Sequence, residues 1–350
     1  MRVVVTGASG NVGTALLRAL AREERVESIV GIARRRPELR APKTEWLPLD
    51  ITRAELTGPF AGADAVVHLA WLIQPGRDHA LTRAVNVDGS ERVFRAAAAA
   101  GVPALIHASS VGAYAPGPKE RRQDESWPTT GIPSSFYSRD KAECERALDA
   151  LEPGFPDLRV VRVRPGLVFQ RNAATEIRRL FAGPFLPRSL VDRRLIPVVP
   201  DVPGLVLQAV HADDLADAYR RTIVDPRARG AYNIAAEPVL DPGELARLLG
   251  ARPVPFSAPL LRRLAALAFV LRLWPTEPGW LDLALGVPVM DTTRAREELG
   301  WSAEKSAGDA LLELLEGIRD GAGDRTPPLD PATSGRGRIH EFTTGVGARP

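Results

Sequence analysis

Val3-Val4-Val5-Thr6-Gly7-Ala8-Ser9-Gly10-Asn11-Val12-Gly13, at the head of a 350-residue chain, decides the fold. A β-branched run breaks at a glycine, and two more glycines precede and open a stretch of helical composition, Asn11 to Glu23. Strand, tight turn and helix follow one another. Glycines at 7, 10 and 13 suit a sharp bend, a close approach of backbone to a pyrophosphate, and close packing of helix on strand. The free amides of the helix start would then face the phosphates, with Ser9, Asn11 and Val12 lining the same turn. A bare strand-turn-helix could use these glycines too; the repetition of the pattern downstream favours dinucleotide binding.

Working outward, strand-like runs recur at Ser28 to Ala33, Thr44 to Pro48, Ala65 to Ala70, Ala104 to Ala108 and Val160 to Val163, with helical stretches at Leu81 to Ala100 and Ser134 to Leu151. Their hydrophobicity is continuous rather than alternating, so the strands are buried on both faces. The fold class is α/β: a Rossmann-type doubly wound parallel sheet with a smaller, mainly helical C-terminal substrate-binding region. Residues 1–165 form the cofactor-binding core, to which 204–235 return through a strand-like Val206 to Val210, a helical Asp213 to Val224 and a strand-like Ala231 to Ala235. Residues 166–203, rich in Pro and Arg from Gly183, and 236–318 form the substrate region, and 319–350 read as a flexible tail.

Composition narrows the function. Lys plus Arg number 46 against 43 Asp plus Glu, a net charge of +3, too small for a nucleic-acid footprint. One cysteine, Cys144, excludes an internal disulfide and a cysteine-based zinc site, and five scattered histidines make no metal site, so the metal expectation is none. Cys144 reads as a core thiol. The opening apolar run stops after three residues and the most apolar later stretch, Ala258 to Trp274, carries Arg262, Arg263 and Arg272, so no signal peptide or integral membrane segment is expected. Leu260 to Trp274 reads as a basic amphipathic helix covering the substrate crevice, with membrane-surface binding as the alternative. A cytoplasmic protein acting on a small molecule fits best.

The end of the second strand chooses the dinucleotide, because an acidic residue there would bind the ribose of NAD and repel the 2′-phosphate of NADP. Ala33 stands there, followed by Arg34-Arg35-Arg36, and a guanidinium engages a phosphate with charge-assisted hydrogen bonds. NADP(H) is expected over NAD(H), with Arg34 the contact. Asp50 and Ile51, after the third strand, are candidates for the adenine, although Asp50 could equally cap a helix.

Tyr137-Ser138-Arg139-Asp140-Lys141 puts a phenol and an ammonium at i and i+4, on one helix face. A cation about 4 Å away stabilises a phenolate by roughly 4 kcal/mol at an effective dielectric near 20, so Lys141 is expected to lower the Tyr137 pKa toward neutrality. His107-Ala108-Ser109-Ser110 closes a buried strand, leaving the Ser110 hydroxyl at the ligand-binding edge, where it can polarise a carbonyl.

With these motifs the chain resembles the extended short-chain dehydrogenases/reductases, the NAD-dependent epimerase/dehydratase family, over about residues 2–315. The resemblance rests on Thr6 to Gly13, His68-Leu69-Ala70, Asn86-Val87-Asp88-Gly89-Ser90, Ser109-Ser110 with Tyr114, Tyr137 to Lys141, Arg164-Pro165-Gly166, His211 to Ala216 and Tyr232-Asn233-Ile234. His68 to Lys141 looks closest to the subgroup named for similarity to UDP-glucose 4-epimerase. The resemblance implies that Tyr137 is the acid/base, that Lys141 lowers its pKa and holds the nicotinamide ribose, that Ser110 orients the reacting oxygen, and that Asn86 supports them. It also implies that Leu69, Ala70 and Pro165 line the cofactor and that a homodimer forms. Without it, Asn86 reads as a helix-surface residue and His68 as a satisfied buried histidine. Substrate candidates are Trp71, Ser110, Gly112, Glu125 and Leu167; Glu125 reads more readily as a solvated acidic turn, Tyr114 as a structural or pocket residue, and His211 as a packing or capping residue.

Two positions depart from the nucleotide-sugar pattern. The family's Asn three residues after Arg164 is Leu167, and the Arg four residues before His211 is Leu207, so a diphosphate loses its expected clamps. Arg171-Asn172, Arg188, Arg193 or Arg194 could substitute. Three readings follow: an NADPH-dependent reductase of a fairly apolar carbonyl compound, a nucleotide-sugar epimerase or dehydratase retaining NAD, and a catalytically silent cofactor-binding regulator.

Overall fold

The computed structural model describes residues 1–73, 79–181, 196–271, 273 and 276–331. Its strands are β1 (Arg2–Thr6), β2 (Ser28–Ala33), β3 (Thr44–Pro48), β4 (Ala65–His68), β5 (Ala104–Ala108), β6 (Arg122–Gln123), β7 (Arg159–Pro165), β8 (Leu167–Phe169), β9 (Val198–Asp201), β10 (Leu207–His211), β11 (Gly230–Ile234), β12 (Ala236–Leu240), β13 (Arg252–Pro255) and β14 (Val289–Met290). Among the described residues seven of these make one sheet in the order β11-β7-β5-β4-β1-β2-β3, every pairing parallel. The order reverses at β1, which pairs with both β2 and β4, and ligands of doubly wound sheets lie at the carboxyl ends beside that switch.

The valine run now has its reason. Val3 and Val5 enter one core with Leu16, Leu17 and Leu20 of the helix Asn11–Arg22 and Leu215 and Tyr219 of the helix Ala212–Val224. Val4 enters the other, with Phe94 of the helix Gly89–Ala99 and Leu148 of the helix Phe136–Leu151. Side chains of a strand alternate between faces, so a strand covered by helices on both sides must be apolar at every position.

Two expectations need correction. The helix expected over Leu81 to Ala100 is broken into His79–Arg83, a π-turn Ala84–Asp88 and Gly89–Ala99. The C-terminal region is mainly helical, as expected, with the helices Pro242–Leu249, Ala258–Val270, Pro278–Gly286, Thr293–Leu299 and Ala307–Asp320 and the short strands β12, β13 and β14 among them. The chain past Asp320 packs at least to Pro331: Thr175 hydrogen-bonds the Ala322 carbonyl at 2.7 Å, and Leu329 is fully buried. Few apolar residues sufficed there because one leucine and backbone hydrogen bonds anchor the segment.

The helix Ala258–Val270 stacks outside the crevice. It buries no residue, leaves Leu260, Leu264 and Leu267 about half exposed, and is tied by Arg262 to Asp282 of the helix Pro278–Gly286 at 2.7 Å. The latter helix covers the crevice, not the former. No helix among the described residues is long and apolar enough to cross a membrane.

Candidate active site

Gly7, with φ +72°, turns the chain at the end of β1, and a Cβ there would lie 2.6 Å from the Ala70 backbone. A Cβ at Gly13 would meet the Gly7 carbonyl at 2.5 Å. These two glycines serve packing. A Cβ at Gly10 would have only the Gly7 oxygen within reach, at 3.4 Å, so its outer side is open. Gly10 caps the 12-residue helix with no side-chain hydrogen bond, and the first turn carries no acid, which leaves its amides for an anion. That arrangement fits a dinucleotide pyrophosphate. Ser9 is buried, Val12 packs on the first core, and the Asn11 side chain faces the adjoining lobe: its Nδ2 donates to the Val168 carbonyl at 3.2 Å and its Oδ1 accepts from Gln170 at 2.8 Å. Asn11 therefore couples the turn to β8.

At the neighbouring strand ends, Leu69 donates its amide to Thr6 at 3.0 Å, and Ala70 and Trp71 follow as the wall of the crevice. Ser110 starts a short 3-10 turn, its Oγ accepting from the Gly112 amide at 3.0 Å. Tyr137 lies against that turn and shares a hydrogen bond with Ser110. Gly112 is the floor under the phenol, since a Cβ there would stand 2.8 Å from the tyrosine ring. Ser138 locks the helix start by donating to the Gly112 carbonyl at 2.5 Å and accepting from the Ile132 amide at 2.6 Å.

Lys141 behaves differently from the expectation. Its Nζ donates to the Ala108 carbonyl at 2.7 Å and sits 3.4 Å from the centroid of the Trp71 ring, but 5.9 Å from that of Tyr137. Burial pulls the ammonium down to about 7, outweighing the carboxylates of Glu145 and Asp140. Burial pushes the Tyr137 phenol up to about 12, against the Ser110 hydrogen bond that lowers it. The i,i+4 spacing brings both groups to one face, as expected; the Ala108 carbonyl and the indole then hold the ammonium, so desolvation governs the phenol.

Asn86 lies in the π-turn and is buried, not on the helix surface. Its side chain clamps both backbone groups of Leu72, accepting from the amide at 2.7 Å and donating to the carbonyl at 3.1 Å. It thereby fixes the segment that carries Trp71. His68 is buried between Thr6 and Ser90, at 2.7 and 2.8 Å, and burial lowers its imidazole to about 3. Cys144 is a buried thiol against the Asn86 carbonyl. His211 caps the helix Ala212–Val224 by accepting from the Asp213 amide at 3.1 Å.

Residues 3–235 match the sequence profile of the NAD dependent epimerase/dehydratase family. The chain belongs to that family. It is 31% identical over 335 residues to an uncharacterized protein of Mycobacterium tuberculosis, covering 93% of this chain but only 31% of that protein's length. UDP-glucose 4-epimerase of Mycolicibacterium smegmatis is 26% identical over 342 residues, 91% of this chain and 99% of that one. A 4-hydroxy-2-methyl-3-oxo-4-farnesyl-3,4-dihydroquinoline-1-oxide ketoreductase of Stigmatella aurantiaca is 35% identical over 177 residues, 48% of this chain and 51% of its own. The solved UDP-glucose 4-epimerase of Thermus thermophilus in complex with NAD shares the fold at TM-score 0.66, with 20% identity, covering 91% of this chain and 99% of that one.

Within this family member the second-strand end is basic and open: Arg34, Arg35 and Arg36 are all exposed. Asp50 is a turn cap, accepting from the Thr52 amide at 2.9 Å and hydroxyl at 2.8 Å, and Ile51 is buried in the second core. Pro165 ends β7 in register with Ile234. Glu125 is half-buried and accepts from the Asn233 amide at 2.8 Å, which ties its loop to β11 of the core sheet rather than leaving it a solvated turn. Tyr114 is buried, donating to Asn233 at 2.7 Å and accepting from Arg164 at 2.9 Å. Arg171 is committed to Asp320 at 2.7 Å, so it is not a spare phosphate clamp; Arg188, Arg193 and Arg194 lie outside the described residues.

Two participants escaped sequence reasoning. Trp280, on the helix Pro278–Gly286, faces the Tyr137 ring at 4.9 Å, brought there because Gly279 lets its helix approach the Ser134 carbonyl, to which a Cβ would stand 2.5 Å. Nothing local ties it to residue 137. Glu145 is buried, and Arg164 reaches it with Nε at 2.8 Å and Nη2 at 2.9 Å, alongside Ser109 and Arg162. Burial opposes its charge, yet the Arg164 guanidinium holds the carboxyl below the usual carboxylate range. Its spacing of four from Lys141 was the available signal.

Proposed function

We propose that this enzyme is an NADPH-dependent reductase of a carbonyl metabolite that carries no diphosphate. The observation that carries the reading is a pair of leucines: Leu167, 40% exposed on β8, and Leu207 on the adjacent β10 stand where nucleotide-sugar enzymes of the family keep an Asn and an Arg. A diphosphate beside them would lack charge-assisted partners. The partial similarity to a ketoreductase supports it. So does Arg34, exposed where a 2′-phosphate would sit.

In this reading the amides at Gly10, Asn11 and Val12 take the pyrophosphate, Arg34 the 2′-phosphate, and Lys141 the nicotinamide ribose. Leu69, Ala70 and Pro165 flank the cofactor. The nicotinamide, when bound, supplies the hydride. Ser110 holds the carbonyl oxygen, and Tyr137 gives it a proton as the carbon is reduced. A phenol near 12 is protonated at neutral pH, the state a proton donor needs. Residues 166–203 and 236–318 serve the substrate.

The second reading, an epimerase or dehydratase with retained NAD, is favoured by the full-length similarity to UDP-glucose 4-epimerase. A silent regulator is disfavoured because Ser110, Tyr137 and Lys141 are all in place. The test is NADPH consumption, followed at 340 nm, with a panel of ketones and aldehydes, beside epimerisation of UDP-glucose. Consumption with carbonyl compounds and no epimerisation is the expected result; epimerisation without consumption would overturn it.

A further inference from the structure

The wall facing Tyr137 is built from flat rings and aliphatic side chains. Trp280 lies 4.9 Å from the phenol, tilted by 34°, and Trp71 stands edge-on to it at 5.8 Å and 77°. Ile132, Leu283 and Val287 pack behind Trp280, with Val111 beside them. Phe136 extends the aromatic surface, at 6.1 Å from Trp280. The hydrogen bond between His79 and Glu277, at 2.5 Å, stays at the rim, with His79 stacked on Phe136 at 4.7 Å. Lys141 is held by Ala108 and covered by Trp71.

We infer that Trp280 and Trp71 are specificity-determining residues that select a planar, apolar ring ketone or quinone. The inference rests on the reductase reading and names its substrate class. A carbonyl that reaches the Tyr137 hydroxyl must lay the rest of its molecule along this wall. Sugar hydroxyls set against indole and leucine lose water without gaining partners. A flat ring system instead meets the edges of Trp280 and Trp71 beside the phenol and gains both burial and edge-to-face ring contact. Gly279 reinforces the assignment, because its close approach to Ser134 fixes the indole over the phenol.

The experiment compares 9,10-phenanthrenequinone with glyceraldehyde as NADPH-dependent substrates, in the wild type and in Trp280→Leu and Trp280→Phe. The wild type is expected to prefer the quinone at least 100-fold in kcat/KM. Trp280→Leu should lose at least tenfold of that preference through KM, and Trp280→Phe, which keeps a ring, should retain most of it. Equal use of both substrates by the wild type, or a Leu variant with unchanged preference, would overturn the inference. Quinone binding to Tyr137→Phe with NADPH, followed by tryptophan quenching, is read independently of turnover. Binding weakened at least tenfold by adding Trp280→Leu supports the clamp even where no carbonyl is reduced, which would sink only the reductase reading. No binding, or binding indifferent to Trp280, sinks the clamp.

Discussion

The Lys141 ammonium rests 3.4 Å above the Trp71 indole and 5.9 Å from the Tyr137 ring centroid, so in this structure the family's lysine is paired with an aromatic face rather than with its tyrosine. A cation over an indole is stabilised by the ring quadrupole, by about 2 kcal/mol or more when desolvated. That contact offsets only part of the burial cost, because the ammonium remains depressed to about 7.

A pH dependence follows. Between about 7 and the ordinary 10.5, the unfolded chain keeps the Lys141 proton while the folded chain has released it. Stability therefore rises with pH through that window, by up to about 1.4 kcal/mol per pH unit, and is flat below it. Thermal unfolding at pH 7 and 9.5 should show a larger gain in the wild type than in Lys141→Met, where Lys119, lowered by burial to about 8, still supplies part of it. Equal slopes in the two proteins would refute it.

Tyr137→Phe should remove at least about a hundredfold of turnover, the usual minimum for losing a proton donor. Nicotinamide-nucleotide affinity should stay within about twofold, since the phenol is placed at the reacting oxygen. Calorimetric binding beside initial rates checks both; loss of binding would mean that the phenol is structural.

Arg34→Ala should weaken NADPH by about 1–3 kcal/mol and leave NADH nearly unchanged, the expected consequence of losing one charge-assisted contact to the 2′-phosphate. Titration of both cofactors decides it, and a common loss on both would assign Arg34 to the adenosine rather than to the phosphate.

Glu145→Gln leaves the buried Arg164 with its charge uncompensated, while Arg162 keeps Asp149 at 2.6 Å and Glu152 at 2.5 Å. Breaking one partner of a buried pair costs about 3–5 kcal/mol. Denaturant unfolding should report that loss, and a change below about 1 kcal/mol would mean that water already screens the network.

Much of this was legible in the sequence because it is local. The strands at Ser28–Ala33 and Ala104–Ala108 coincide with the expected bounds, since an apolar run buried on both faces leaves little choice, and the partly exposed edge strand Thr44–Pro48 coincides as well. The Ser110 turn and the shared face of Tyr137 and Lys141 follow from strand-end and helical spacing. What sequence could not give is where polar groups meet. Asn86 looked like a helix-surface residue until a π-turn rotated it onto Leu72, and the Lys141 charge was assigned to Tyr137 because spacing fixes a face and not a partner. Trp280 was invisible because its position over the phenol comes from one glycine contact between distant segments. Glu125 was misread for a similar reason: Asn233, its brace, lies on β11.

The most direct test of the reductase reading is to denature the purified protein and identify the nucleotide it releases by chromatography and mass. The reading predicts no stoichiometric NAD, with either an empty site or NADP(H) released. One NAD per chain, carried through purification, would contradict it and establish a cofactor retained through turnover.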